Sequence, residues 1–318
     1  MAPPHKKAVD NMWAMRMALW LLLAGMVASV RGQVLTPTAE FELDATARAH
    51  HRDHRVRFYF VASSCGLTLV RISENGVLLT SADLDGRILH SRADLASVHD
   101  QIYAALPRPD GSVWLVSGGP YRLLDAGGGG TLRNDLDLYS AAGKHIESLR
   151  LLAFVGGAES PIAAGNDELV LRSAGSPRFP PQNQVIHFGT VLRGQFQERA
   201  RVRLMPPVRG AIATIAGNGE LLLIDKKSGD IVVVDPKTKG DTVVRLAEPR
   251  AVRAAAADGG YVYLLAADSV VKMDLAGHVI ATYYLQLGGG FEAVSLGVTG
   301  DLLYLLDKSG RVARFHVQ

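Results

Sequence analysis

His50, His51, Arg52, Asp53 and His54 form the densest run of side chains able to hold a borderline metal ion. Their spacing works against that chemistry. On an extended backbone successive side chains alternate faces, so His50, Arg52 and His54 point one way while His51 and Asp53 point the other. A guanidinium set between ligands repels a cation, and no second cluster follows, so no metal centre and no cofactor are assigned. Cys65 is the single cysteine, so it cannot pair within the chain, and its SSCG setting reads as a small buried hydrophobe in a turn or strand start. The GGGG run at 127–130 precedes neither a helix nor a GK[ST] ending, which leaves no phosphate cradle. No G-x-S-x-G, H-E-x-x-H or Cys/His pairing occurs, and no catalytic residue is named.

The better candidates are charged residues that lead into short runs of small apolar residues. These are His99, Asp100, Glu159, Arg209, Arg250 and Glu292, ahead of or within IYAAL (102–106), PIAA (161–164), AIATIA (211–216), VRAAAA (252–257) and AVSLGV (293–298). Small side chains suit strands crowded around an axis, and groups at their starts would ring one mouth of a central channel. Both signs of charge occur, so the ring could bind a ligand or simply neutralise itself.

The elements that must position these groups are repeated hairpins. One phrase is a Gly, Asn or Asp turn followed by a short apolar strand: DGSVWLVS (110–117), NDELVLRS (166–173), NGELLLID (218–225), GGYVYLLA (259–266) and GDLLYLLD (300–307). RVRFYFVA (55–62) is taken as a degenerate first copy. A second phrase, strand–turn–returning strand, follows each, as in IVVVDPKTKGDTVVRL (231–246). Val, Ile, Leu and Tyr runs bounded by turn residues are hairpin chemistry. LLLI and VYLL are apolar on both faces, as strands sandwiched between sheets must be. The later repeats recur about every 40 residues, the length of a four-stranded propeller blade. The pattern predicts an all-β, six-bladed β-propeller of four-stranded antiparallel blades spanning 33–318 as one domain. RVARFHVQ (311–318) stops before its returning strand, so residues 33–43 (QVLTPTAEFEL) are expected to close the last blade.

LLYLLDKSGRVARFHV (302–317) is similar to the NHL repeat, a strand end followed by a polar turn, an arginine and an aromatic. GYVYLLAADSVVKMDLAGHVI (260–280) resembles the same pattern, and LLLIDKKSGDIVVVDPKTKGD (221–241) follows it loosely. The resemblance implies the six-bladed NHL-repeat or TolB-like propeller class. It also implies that Asp225, Asp268 and Asp307 serve their turns and not a reaction.

Before this domain, Lys6, Lys7 and Arg16 precede the apolar run Met17–Val30, and Val30 and Gly32 fit the −3 and −1 positions of a cut before Gln33. That is the layout of a secretory signal over residues 1–32, and the bracketed run is short for a spanning helix. The expected location is therefore exported, periplasmic or secreted. If the leader stays uncut it becomes an N-terminal membrane anchor. Four leader cations against Asp10 account for the whole formal charge of +3, so the remainder is balanced. That balance argues against nucleic acid as a partner. The functional expectation is a monomeric, non-catalytic binding or scaffold protein that holds a protein, peptide or glycan on one face or at the channel mouth. A metal-dependent hydrolase or lactonase is the alternative, and it would need Asp100, Glu159 and Glu292 to converge on one ion.

Overall fold

The computed structural model describes residues 32–46, 56–74, 76–93, 95, 102–118, 132–153, 157–175, 184–206, 208 and 211–317. Residues 1–31, the His50–His54 cluster, the GGGG run and the candidates His99, Asp100 and Arg209 lie outside them, as does the side chain of Glu159. Among the described residues there are 25 strands and no helix, so none is long and apolar enough to cross a membrane.

Two short strands come first, β1 (Gln33–Leu35) and β2 (Ala39–Glu42). Six blades follow. The first is β3 (Arg57–Ser63), β4 (Gly66–Ser73), β5 (Gly76–Ala82) and β6 (Ile88–Arg92); the second is β7 (Ile102–Pro107), β8 (Val113–Ser117), β9 (Leu132–Tyr139) and β10 (His145–Ala153). The third holds β11 (Gly157–Ala164), β12 (Leu169–Gly175), β13 (Gln184–Leu192) and β14 (Gln195–Leu204), and the fourth β15 (Ile212–Ile215), β16 (Leu221–Ile224), β17 (Ile231–Asp235) and β18 (Gly240–Val244). The fifth is β19 (Ala254–Asp258), β20 (Tyr261–Leu265), β21 (Ser269–Asp274) and β22 (Val279–Leu285). The sixth has β23 (Ala293–Thr299), β24 (Leu302–Asp307) and β25 (Arg311–His316). Every blade is an antiparallel meander in chain order, and the sixth takes β2 along β25 as its fourth strand. β1 goes elsewhere: it runs parallel to β22 on the outer edge of the fifth blade.

Six apolar clusters hold the ring, one between each pair of adjacent blades. This explains the doubly apolar strands. In β16, Leu222 and Ile224 pack toward Val262 and Leu264 of the fifth blade, while Leu221 and Leu223 pack toward Phe188 and Val202 of the third. The period of two persists, but both faces are buried. The cluster between the sixth and first blades joins Tyr304, Leu306 and Val312 to Phe60, Leu67 and Leu69, which closes the circle.

The first blade departs from the repeat reading by one strand. Residues 57–63 form the innermost strand, and the second strand begins at Gly66, so Cys65 lies in the turn between them and is exposed, not buried. The aromatic residues of 57–63 disguised the position, because an inner strand is expected to be small. The neighbouring inner strand compensates: a Cβ placed at Gly297 of β23 would meet the Ala62 backbone nitrogen at 2.6 Å and Phe60 Cε1 at 3.1 Å. The volume missing at Gly297 is the volume Phe60 and Ala62 occupy.

Turn carboxylates punctuate the hairpins. Asp225 Oδ1 accepts the backbone N–H groups of Lys227 and Ser228, and Asp307 Oδ1 accepts those of Ser309 and Arg311. Asp268 behaves differently, because it is its backbone carbonyl that accepts the N–H of Leu285 at 3.0 Å. In the next hairpin Asp274 takes the turn role, accepting from Ala276 and His278.

Candidate functional site

The six innermost strands, β3, β7, β11, β15, β19 and β23, run in the same direction along a central channel. Each begins where the chain arrives from the previous blade, and we call that end the proximal mouth. The channel encloses a cavity of about 820 Å³. Its wall is mostly small: Ala105, Ala163, Ala164, Ala213, the Ala254–Ala257 run and Gly297 all line it. Those residues keep six converging strands apart and leave the bore open.

Polar groups mark both ends of this wall. Lys226 and Arg253 line it at the proximal end, and Asn166, Glu168, Asp258 and Thr299 at the distal end. The proximal placement follows from the hairpins. Ile212, which begins β15, pairs with Ile224 at the end of β16, so Lys226 emerges beside that start. Arg253 immediately precedes β19, and backbone bonds from Val252 N to Lys226 O (2.9 Å) and from Arg250 N to Ser228 O (3.0 Å) tie the two segments together.

Two of the residues singled out in the sequence, Glu292 and Arg250, precede inner strands and have described side chains. Glu292 accepts a hydrogen bond from Lys308 Nζ at 2.7 Å. That bond, helped by the nearby charges of Lys308 and Arg253 and opposed by slight desolvation, holds its carboxyl below the usual glutamate range. Arg250 pairs with Glu248 at 3.3 Å. Arg311, braced by Asp307 at 2.7 Å, lies over the Phe291 ring at 5.3 Å. Glu159 sits in β11 in register with Ser173. Of the three candidate metal ligands only Glu292 has a described side chain, and among the described residues no three His, Cys, Asp or Glu side chains gather as a metal would need.

What the rim adds, and sequence reading missed, is Lys226 and Arg253. Both are exposed, and among the described residues neither side chain has an ion pair or a hydrogen bond. Lys226 sits in a turn whose neighbours look structural, and Arg253 was read as the edge of an alanine run. At the distal end Glu168 is 11% exposed and meets Arg199 of β14. Burial pushes its carboxyl above the usual range, and Arg199 only partly offsets that.

A second arrangement lies one strand outward in the third blade. Ser173 Oγ and His187 Nε2 are 2.6 Å apart, and His187 Nδ1 and Glu198 Oε2 are 2.5 Å apart. Arg201 bonds the same carboxylate through Nε and Nη2.

No protein-family model matches the chain, and no curated protein sequence does. Solved structures do match in shape. Virginiamycin B lyase from Staphylococcus aureus aligns with a TM-score of 0.52 at 15% identity, covering 88% of this chain and 99% of the lyase. The WD40 domain of Neurospora crassa Pan2 aligns with a TM-score of 0.51 at 10% identity, covering 89% and 97%. At these identities the likeness shows the propeller fold alone.

Proposed function

We propose that this protein is an exported binding propeller of the NHL-like kind whose proximal channel mouth holds a partner carrying carboxylates, on a protein, peptide or glycan. The observation that carries the reading is the pair Lys226 and Arg253. They are exposed cations on the wall of a cavity of about 820 Å³, near the described pairs Arg250–Glu248, Lys308–Glu292 and Arg311–Asp307. Cavities of roughly 300–1,000 Å³ with a few convergent polar groups are the usual size of ligand sites. An exposed cation with no side-chain hydrogen bond or ion pair among the described residues can turn toward a partner outside the protein. The Glu292–Lys308 and Asp307–Arg311 pairs then serve as a frame that leaves these two charges available. Propellers serve both as enzymes and as binding modules, so the fold does not choose between them. Export rests on the leader, and N-terminal sequencing of the mature protein that finds Gln33 supports it.

A labelled oligoglutamate peptide is a suitable probe. Binding should weaken by about tenfold or more when Lys226 and Arg253 are both changed to Glu, and should fall with added salt because the contacts are exposed. Unchanged affinity in the folded double variant would defeat the proximal-mouth reading.

A further inference from the structure

The chain Ser173–His187–Glu198 lies on β12, β13 and β14, three successive strands of the third blade. Cross-strand register produces it. His187 stands opposite Leu171, two residues before Ser173, so Ser173 and His187 are diagonal neighbours on one face of the sheet. On the other side β13 meets β14 through a bulge at Phe188 and Gly189, which brings Glu198 level with the imidazole. His187 is 6% exposed, Ser173 is partly exposed, and Glu198 opens to solvent beyond them. With Nδ1–H donating to Glu198, Nε2 is left to accept the Ser173 hydroxyl proton.

A hydroxyl, an imidazole and a carboxylate in that order and at those distances are the requirements for an activated serine. We propose that Ser173 is a nucleophile, with His187 its general base and Glu198 the positioning residue that fixes the imidazole, acting on carboxylic esters. The anchoring of Glu198 is independent of His187, since Arg201 holds it from the solvent side.

In the reaction Ser173 Oγ bonds to the ester carbonyl carbon while its proton passes to His187 Nε2. The bond from that carbon to the alkoxy oxygen then breaks, and the proton returns from His187 to the departing alcohol. Water, deprotonated in turn by His187, attacks the acyl-serine; the carboxylic acid leaves and Ser173 regains its proton. No electron transfer is involved. The site is separate from the Lys226 and Arg253 rim, so either can fail without the other.

The test is covalent labelling of the full chain with a fluorophosphonate, read by mass spectrometry. Trypsin releases residues 173–178 as one peptide that also holds Ser176, so fragment ions must place the adduct. The expected adduct is on Ser173, absent in Ser173→Ala, lost in His187→Gln, and formed at least about tenfold more slowly in Glu198→Gln. All three substitutions nearly conserve volume, and thermal melting checks that each variant is folded. If a variant does not fold, Ser173→Cys with an alkylating probe, read at position 173 in a chain that also carries Cys65→Ser, reports the same base through its thiolate. Absence of a Ser173 adduct in the folded protein, or equal labelling in folded His187→Gln, would overturn the proposal.

Discussion

At the scale of single residues, the ionisable groups divide by what surrounds them. Glu198 is held below the usual carboxylate range. Desolvation acts the other way and is the largest single influence, but hydrogen bonds from His187 and Arg201 and their charges together outweigh it. Glu168 goes upward because burial dominates. A carboxyl whose folded pKa lies above its unfolded one weakens the fold at high pH, and the penalty disappears below the unfolded value near 4.5. Glu168→Gln should therefore raise the urea midpoint at pH 7, and its advantage should shrink as the pH is lowered toward 4. A constant gap between variant and parent across that range would show that burial of the charge is not the cause. The turn roles of Asp225 and Asp307 were legible in the sequence because an Asp two to four residues before its partners is a local motif. Ser173, His187 and Glu198 were not legible. They stand 14 and 11 residues apart, and only strand register and one bulge unite them.

At the scale of elements, alternation, turn residues and repeat length carried most of the architecture. What they misplaced was the first blade, where the aromatic run Phe58–Phe60 occupies an inner strand. Bulk there is possible only because β23 brings Gly297 to the contact, a pairing between residues more than two hundred positions apart. Single-strand composition cannot express that. Gly297→Val should destabilise by about 2–3 kcal/mol, since the added atoms run into the backbone at Ala62 and the nearest aromatic. Thermal unfolding would check it, and a melting temperature equal to that of the parent would mean that the two strands are not so closely apposed. The N-terminal segment divides its work, with β2 completing the sixth sheet and β1 lying on the fifth. The alternation in AEFE is visible in sequence, whereas the parallel placement of three residues is set by the edge they meet.

At the scale of the whole molecule, six inter-blade cores fix a ring, and the ring fixes where loose charges can meet. Residues 33–318 are electrically balanced by composition, yet balance overall does not mean balance at each mouth. Arg250 and Glu292 were expected at the rim because they precede inner strands, and both are paired. Among the described residues Lys226 and Arg253 are exposed cations on the channel wall without an ion pair, and their placement could be seen only once neighbouring hairpins were set side by side. The central claim is that partners approach through this mouth and not along the outer edges, where Ile88 and Leu89 are also exposed. Site-specific photo-crosslinking in the native cell tests it directly, with a benzophenone side chain placed in turn at Lys226, Arg253, Ile88 and Leu89. The account predicts a defined adduct from the two mouth positions and none from the edge strand. Adducts confined to Ile88 and Leu89, or none from Lys226 and Arg253 in the folded protein, would contradict it.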